Sequence, residues 1–400
     1  MDGRSIPLDV AAAEQHLMDF LSVEGITGQE ARIAATVSEA LKRAGVPASA
    51  IRFDDANERI PLPTETGNLI VDLPGTRPGP RLLFSTHLDT VPLCAGAKPR
   101  REGDRIVSDG TTALGGDART GVAVLVVVAE TLLRNNIPHP PITLLFTVRE
   151  ESGLHGAREL NPSELGGAEM CINVDGQLAS DLIIGAVGQE NWEVEITGRA
   201  SHAGVAPEKG ISATMIGAVA LAEARREGWF GKVVKGESRG ASNVGIFGGR
   251  DGKAAGDATN VVTDHAFIRG EARSPDAAFA VSIVEGFRAA FDRARADVTD
   301  DEGKPGEISF TRQTSYPPFE LARDSPVVRR AEKAVRLLGL EPRLQFSNGG
   351  LDANWLVGHG IPTVTIGAGQ AEIHTIKEYV NLGEYEKGCR LALLLATLEE

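Results

Sequence analysis

The feature that most constrains this chain is a rhythm. Short, unbroken apolar runs of β type at residues 68–73, 81–86, 142–148 and 170–174 alternate with helical patterns, of which 120–133 is the clearest. Unbroken apolar runs belong to strands covered on both faces, and their alternation with helices implies a largely parallel sheet. Two helical patterns, 10–21 and 29–44, come first, and Gly45 is a natural stop for the second. Near Val187 the pattern changes. Residues 191–197 place Trp192, Val194 and Ile196 on one face, as a half-exposed strand does. A helix at 211–227, strands at 244–247 and 266–272, a helix at 276–295 and a strand at 308–312 complete a β-α-β-β-α-β order. That is the order of a ferredoxin-like unit, an antiparallel sheet with helices on one face. After the link Tyr316-Pro317-Pro318-Phe319, α/β alternation resumes with a helix at 327–338, strands at 343–346 and 363–366, and a helix at 384–398. The expected fold class is α/β: a domain with a mixed, mostly parallel sheet at 1–186 and 316–400, carrying an inserted ferredoxin-like α+β domain at 187–315.

Charge and cysteine usage narrow the function classes. The formal net charge of -14 argues against nucleic acid or an anionic membrane as the main partner. Cys94, Cys171 and Cys389 are odd in number and form no C-x-x-C unit, so neither a disulfide framework nor a cysteine zinc site is expected, and a reducing, cytoplasmic location is favoured. The start, Met1-Asp2-Gly3-Arg4, lacks an apolar signal core, and the longest apolar run, 122–129, is too short to span a bilayer.

The chemistry lies where acids and histidines fall relative to the strands. The run from Arg81 ends in His87-Leu88-Asp89; a glycine-rich loop, Gly115-Gly116-Asp117, opens the 120–133 helix; the run from Thr143 ends in Glu150-Glu151; that from Cys171 ends in Asp175; and Glu372-Ile373-His374 follows the 363–366 strand. Ligand sites in open α/β sheets gather at the carboxyl ends of strands, so these five stations can share one rim. Imidazole nitrogens and carboxylate oxygens suit zinc, and two such ions about 3.5–4 Å apart need a bridging carboxylate plus terminal ligands. One carboxylate must stay unligated to take a proton from the attacking water. The pair Glu150 and Glu151 can supply one of each. Alone, each station has a plain reading as a surface, turn or capping group; their joint placement points to metal.

This set, in this order and spacing, resembles the M20 metallopeptidase family over nearly the whole chain. Thr147-Val-Arg-Glu-Glu-Ser-Gly-Leu-His-Gly-Ala157 and Ala200-Ser-His-Ala-Gly-Val-Ala-Pro-Glu-Lys-Gly210 are most similar to its tripeptidase T branch. The resemblance implies two Zn2+ per subunit, with Co2+ or Mn2+ as alternatives. His87 and Asp175 would hold one ion, Glu151 and His374 the other, and Asp117 would bridge them. Glu150 would be the general base, and Asp89 would hydrogen-bond the far nitrogen of His87. A cis peptide is implied at Asp117–Ala118. The insert would act as lid and dimerisation domain, so a homodimer is expected, with His202 reaching the partner's site to stabilise the oxyanion. Asn260, Arg273, Gly350 and Asp352 match substrate-contacting positions, although Leu351 departs from the small or polar residues common there. The implied reaction is hydrolysis of a short peptide. Carboxypeptidase G2-like activity, deacylation of N-acyl amino acids and non-catalytic binding are the alternatives.

Overall fold

The computed structural model describes residues 6–249 and 252–399. Met1–Arg4, where the signal-core reading falls, lie outside the described residues. The chain divides into two compact units, residues 1–186 with 320–400, and residues 187–319.

The first unit is built on a mixed sheet. Ile142–Thr147, Leu82–His87, Met170–Val174 and Thr363–Ile366 lie side by side and run parallel. Every residue of these four strands is buried, as unbroken apolar runs require. Leu69–Leu73 joins antiparallel beside Ile142–Thr147, and Asp181–Ala186 antiparallel beside Thr363–Ile366. Successive side chains point to opposite faces. Phe84, Leu144, Phe146 and Ile172 pack into one large cluster with the helices Val10–Leu21, Ala31–Arg43, Gly116–Arg134, Pro326–Leu337 and Leu382–Thr397. Leu83, Leu145 and Cys171 face the other way, into a smaller cluster with Leu356 of the helix Asp352–Gly358. Because the four central strands are parallel, their carboxyl ends share one edge, and the loops that leave this edge carry the acids and histidines. Gly45 ends the second helix at φ +100°, the left-handed conformation that suits glycine.

The second unit has a five-stranded antiparallel sheet in the order Gly231–Lys235, Ser238–Gly248, His265–Ser274, Gly188–Thr197, Glu307–Tyr316. Trp192, Val194 and Ile196 are buried against the helices Ala213–Arg226 and Ala277–Asp297, and Trp192 lies 4.7 Å from the Phe287 ring, centroid to centroid. The edge strand Gly231–Lys235 is one more than the ferredoxin-like order predicts. Its Lys-Val-Val-Lys pattern buries only Val233, as an edge strand does.

Among the described residues no helix is long and apolar enough to cross a membrane.

Candidate metal centre

His87 is the last residue of the strand Leu82–His87 and is almost fully buried. Its Nδ1 lies 3.0 Å from the main-chain oxygen of Asp89, which fixes that nitrogen as the N–H donor and turns Nε2 toward the other acids. The carboxylate of Asp89 faces the same nitrogen from 3.4 Å, farther than the main-chain oxygen. That carboxylate is engaged elsewhere. It accepts the N–H of Glu150 at 3.0 Å on Oδ1 and of Glu151 at 3.1 Å on Oδ2. Asp89 therefore holds the backbone that presents the two glutamates.

Asp117 sits in the opening turn of the helix Gly116–Arg134, where Asp117 and Ala118 have non-helical dihedrals and the peptide bond between them is cis. Its Oδ1 is 3.2 Å from His87 Nε2 and its Oδ2 is 3.2 Å from His374 Nε2. Asp175 Oδ1 lies 3.8 Å from His87 Nε2, and Glu151 is 3.0 Å from His374 Nε2. Asp117 thus stands between a His87/Asp175 pair and a His374/Glu151 pair, one oxygen toward each. Donor atoms of His87, Asp117 and Glu151 all fall within 4.8 Å of one another.

Burial and mutual charge shift the proton affinities of all these groups. Burial works against a charged His87 ring, yet Asp117, Asp175 and Asp89 raise its pKa well above the usual imidazole value. Hydrogen bonds to Asp117 and Glu151 raise His374 to about 10. Burial and the nearby Asp117 raise Asp175, while burial lifts Glu151 to about 7. Burial, then the charges of Asp175, Glu151 and Asp352, push Glu150 well above the carboxylate range, with His87 opposing. Protons on two imidazoles balance a surplus of carboxylates, a balance that divalent cations on the same nitrogen and oxygen donors would provide. The donor set fits two zinc-like ions, with two imidazoles and three carboxylates facing inward.

Two contributors carry no sequence motif. Gln370 is buried and donates from Nε2 to Asp117 Oδ1 and Asp175 Oδ1, both at 3.2 Å, while its Oε1 accepts from Thr120. Glu378 is buried and accepts main-chain N–H groups of the loop before Asp117. Asp352 opens a short helix, is buried, accepts a hydrogen bond from Thr147 and has a pKa raised by burial to about 7. Gly350 lies just before it, half-buried.

The remaining candidates lie in the second unit. His202 is exposed, and its Nδ1 accepts the N–H of Gly204 at 3.2 Å, which leaves Nε2 as the donor. Asn260 is exposed and its carbonyl accepts the N–H of Ala203. The guanidinium of Arg273 forms a two-point bond to Glu271 of the same strand, at 2.9 and 3.1 Å.

A parallel α/β sheet whose carboxyl edge gathers two imidazoles around a central carboxylate defines a metal-dependent hydrolase. Residues 83–398 match the model of Peptidase family M20/M25/M40, and the chain belongs to that family. Within it the chain is peptidase T-like. It is similar to the aminopeptidase PepT of Bacillus cereus, at 33% identity and a TM-score of 0.84 over 98% of each chain, and to a tripeptidase of Staphylococcus aureus, at 29% identity and a TM-score of 0.86 over 98% of each chain. It is also 33% identical to the Bacillus subtilis protein YqjE over 96% of this chain and 97% of that one.

Proposed function

We propose that the chain is a cytoplasmic aminopeptidase of short peptides, tripeptides foremost, working with two zinc ions. The observation that carries this reading is Asp117, with one carboxylate oxygen toward each of two histidine–carboxylate pairs. His87 and Asp175 would hold one ion, His374 and Glu151 the other, with Asp117 shared; cobalt or manganese suits similar donors. When bound, the ions supply polarisation of the scissile carbonyl and an acidified water.

The rest falls to the side chains. Glu150 takes the proton of the attacking water on its carboxylate and returns it to the leaving amine nitrogen. Burial first, and then the neighbouring carboxylates, raise its affinity for that proton. Asp89 keeps Glu150 and Glu151 in place through their N–H groups. His202 is the proposed oxyanion donor through Nε2, contributed within a homodimer, and Asn260, Arg273, Gly350 and Asp352 are the proposed substrate contacts. For Arg273 this requires exchange of Glu271 for a substrate carboxylate.

Glu150→Gln should keep both cations by elemental analysis and lose on the order of 10²–10⁴-fold in kcat on tripeptides. Near-normal turnover would refute the base assignment. The same enzyme, offered tripeptides beside N-acyl amino acids and peptides with blocked amino termini, should cleave only those with a free amino terminus. Preference for acylated substrates would move the reading to a deacylase.

A further inference from the structure

The carboxyl of Glu378 lies four residues after His374, is only 2% exposed, and is spent on the main chain of another segment. Its Oε2 accepts the N–H of Leu114 and of Gly115, each at 2.8 Å, and its Oε1 accepts the N–H of Asp117 at 3.1 Å. These are donors at the start of the helix Gly116–Arg134, which have no partner inside that helix. A buried carboxylate is expensive unless such donors satisfy it. The approach is tight. A Cβ placed on Gly116 would meet Val380 Cγ2 at 2.8 Å and Glu378 Oε1 at 3.3 Å, and Gly115 holds φ +84°. The segment from Gln370 to Glu378 thereby touches the Asp117 loop three times. Gln370 holds the Asp117 carboxylate from the side, His374 faces its Oδ2, and Glu378 grips the backbone beneath.

We propose that Glu378 is a positioning residue that ties the Asp117 loop to the His374 segment and so fixes the spacing of the two cation positions, an inference that rests on the two-cation reading above. With the grip intact, Asp117 presents one oxygen to each position. With it lost, the loop is free to shift and the shared carboxylate turns toward one side. A glutamine keeps the size of Glu378 but offers one acceptor oxygen and sets an NH2 against main-chain N–H groups.

Zinc and cobalt affinities of the full chain, measured by competition with a chromophoric chelator and by the visible spectrum of the cobalt form, test this. Glu378→Gln should bind the more weakly held of two ions about 10–100-fold less tightly. Turnover should recover as zinc is raised, and the cobalt spectrum should differ from wild type. Gly116→Ala, which crowds the same contact from the opposite side, should alter the cobalt spectrum too and serves if the glutamine variant fails to fold. Asp300→Asn removes a buried carboxyl that accepts the N–H groups of Glu302 and Lys304 in the other unit; it should lower Tm without changing metal affinity. Wild type binding two ions while Glu378→Gln and Gly116→Ala match its affinities and spectrum overturns the positioning role alone. Wild type binding none overturns the two-cation reading and this inference with it.

Discussion

A carboxyl without exposed surface, Glu30, stands behind the glutamate pair. Its Oε1 accepts the N–H of Gly28 at 2.6 Å and of Arg149 at 3.1 Å, and its Oε2 has no partner among the described residues. With Asp89 on the next two N–H groups, three consecutive donors at Arg149, Glu150 and Glu151 end on buried carboxylates. Burial, reinforced by the charge of Asp89, raises Glu30 from 4.5 to about 7. A carboxyl whose folded pKa is raised stabilises the fold fully below its unfolded pKa, and that contribution is lost as pH rises through the folded value. Between pH 4.5 and 7 the native state should therefore lose up to about 3 kcal/mol from this group. Glu30→Gln should remove that slope, so urea denaturation of the two proteins should converge at low pH and diverge in favour of the variant above pH 7. Parallel stability curves would contradict the assignment. The thiols behave more simply. All three are free and buried, and burial holds Cys94 at about 12, so the native chain should react slowly with thiol reagents and release three equivalents on unfolding. At this scale His87, Glu151 and Asp175, which follow runs that periodicity marks as strands, Asp117, which opens a helix, and His374, in the loop after a strand, were legible in the sequence. Gln370, Glu378 and Glu30 were not. A buried polar residue that serves another segment's backbone leaves no period and no motif, and only its neighbour four positions away, His374, hinted at Glu378.

The helix Gly116–Arg134 meets the sheet closely enough to exclude a side chain. A Cβ on Gly121 would overlap the hydroxyl of Thr86 and the main-chain oxygen of Val174, and neither can move without shifting a strand that leads to His87 or Asp175. Gly121→Ala should cost about 1–3 kcal/mol, read as a lower urea midpoint, and should weaken metal binding because two donor strands share the strain. The element pattern was readable where burial is one- or two-sided in a regular way: the central strands show as apolar runs, and Trp192, Val194 and Ile196 show as alternation. It failed at edges. Gly231–Lys235 leaves Lys232, Val234 and Lys235 exposed, and Glu307–Tyr316 runs on through mostly exposed polar residues well past the predicted 308–312. Asp181–Ala186 was missed for a different reason, since its apolar stretch is short and ends in glycine. In each case pairing with a neighbour, not local propensity, makes the strand.

At the scale of the whole molecule, the fold class was legible because a doubly covered parallel sheet leaves a strong signature, and the site because such a sheet delivers its loops to one edge. The chain as a whole is acidic, at -14, and the acids around Asp117 are part of that charge. Cations that bind only the native state should stabilise it, by about 2.7 kcal/mol at a hundredfold excess over Kd. Scanning calorimetry should accordingly show a higher Tm with zinc than with chelator, and an unchanged Tm would place the carboxylate surplus outside any metal role. The most direct measurement is anomalous scattering at the zinc edge from crystals grown with zinc. Two peaks are expected on either side of the Asp117 carboxylate, one in contact with His87 and Asp175, the other with His374 and Glu151. A single peak, or peaks that leave Asp117 in contact with only one ion, would contradict a shared carboxylate at the heart of the site.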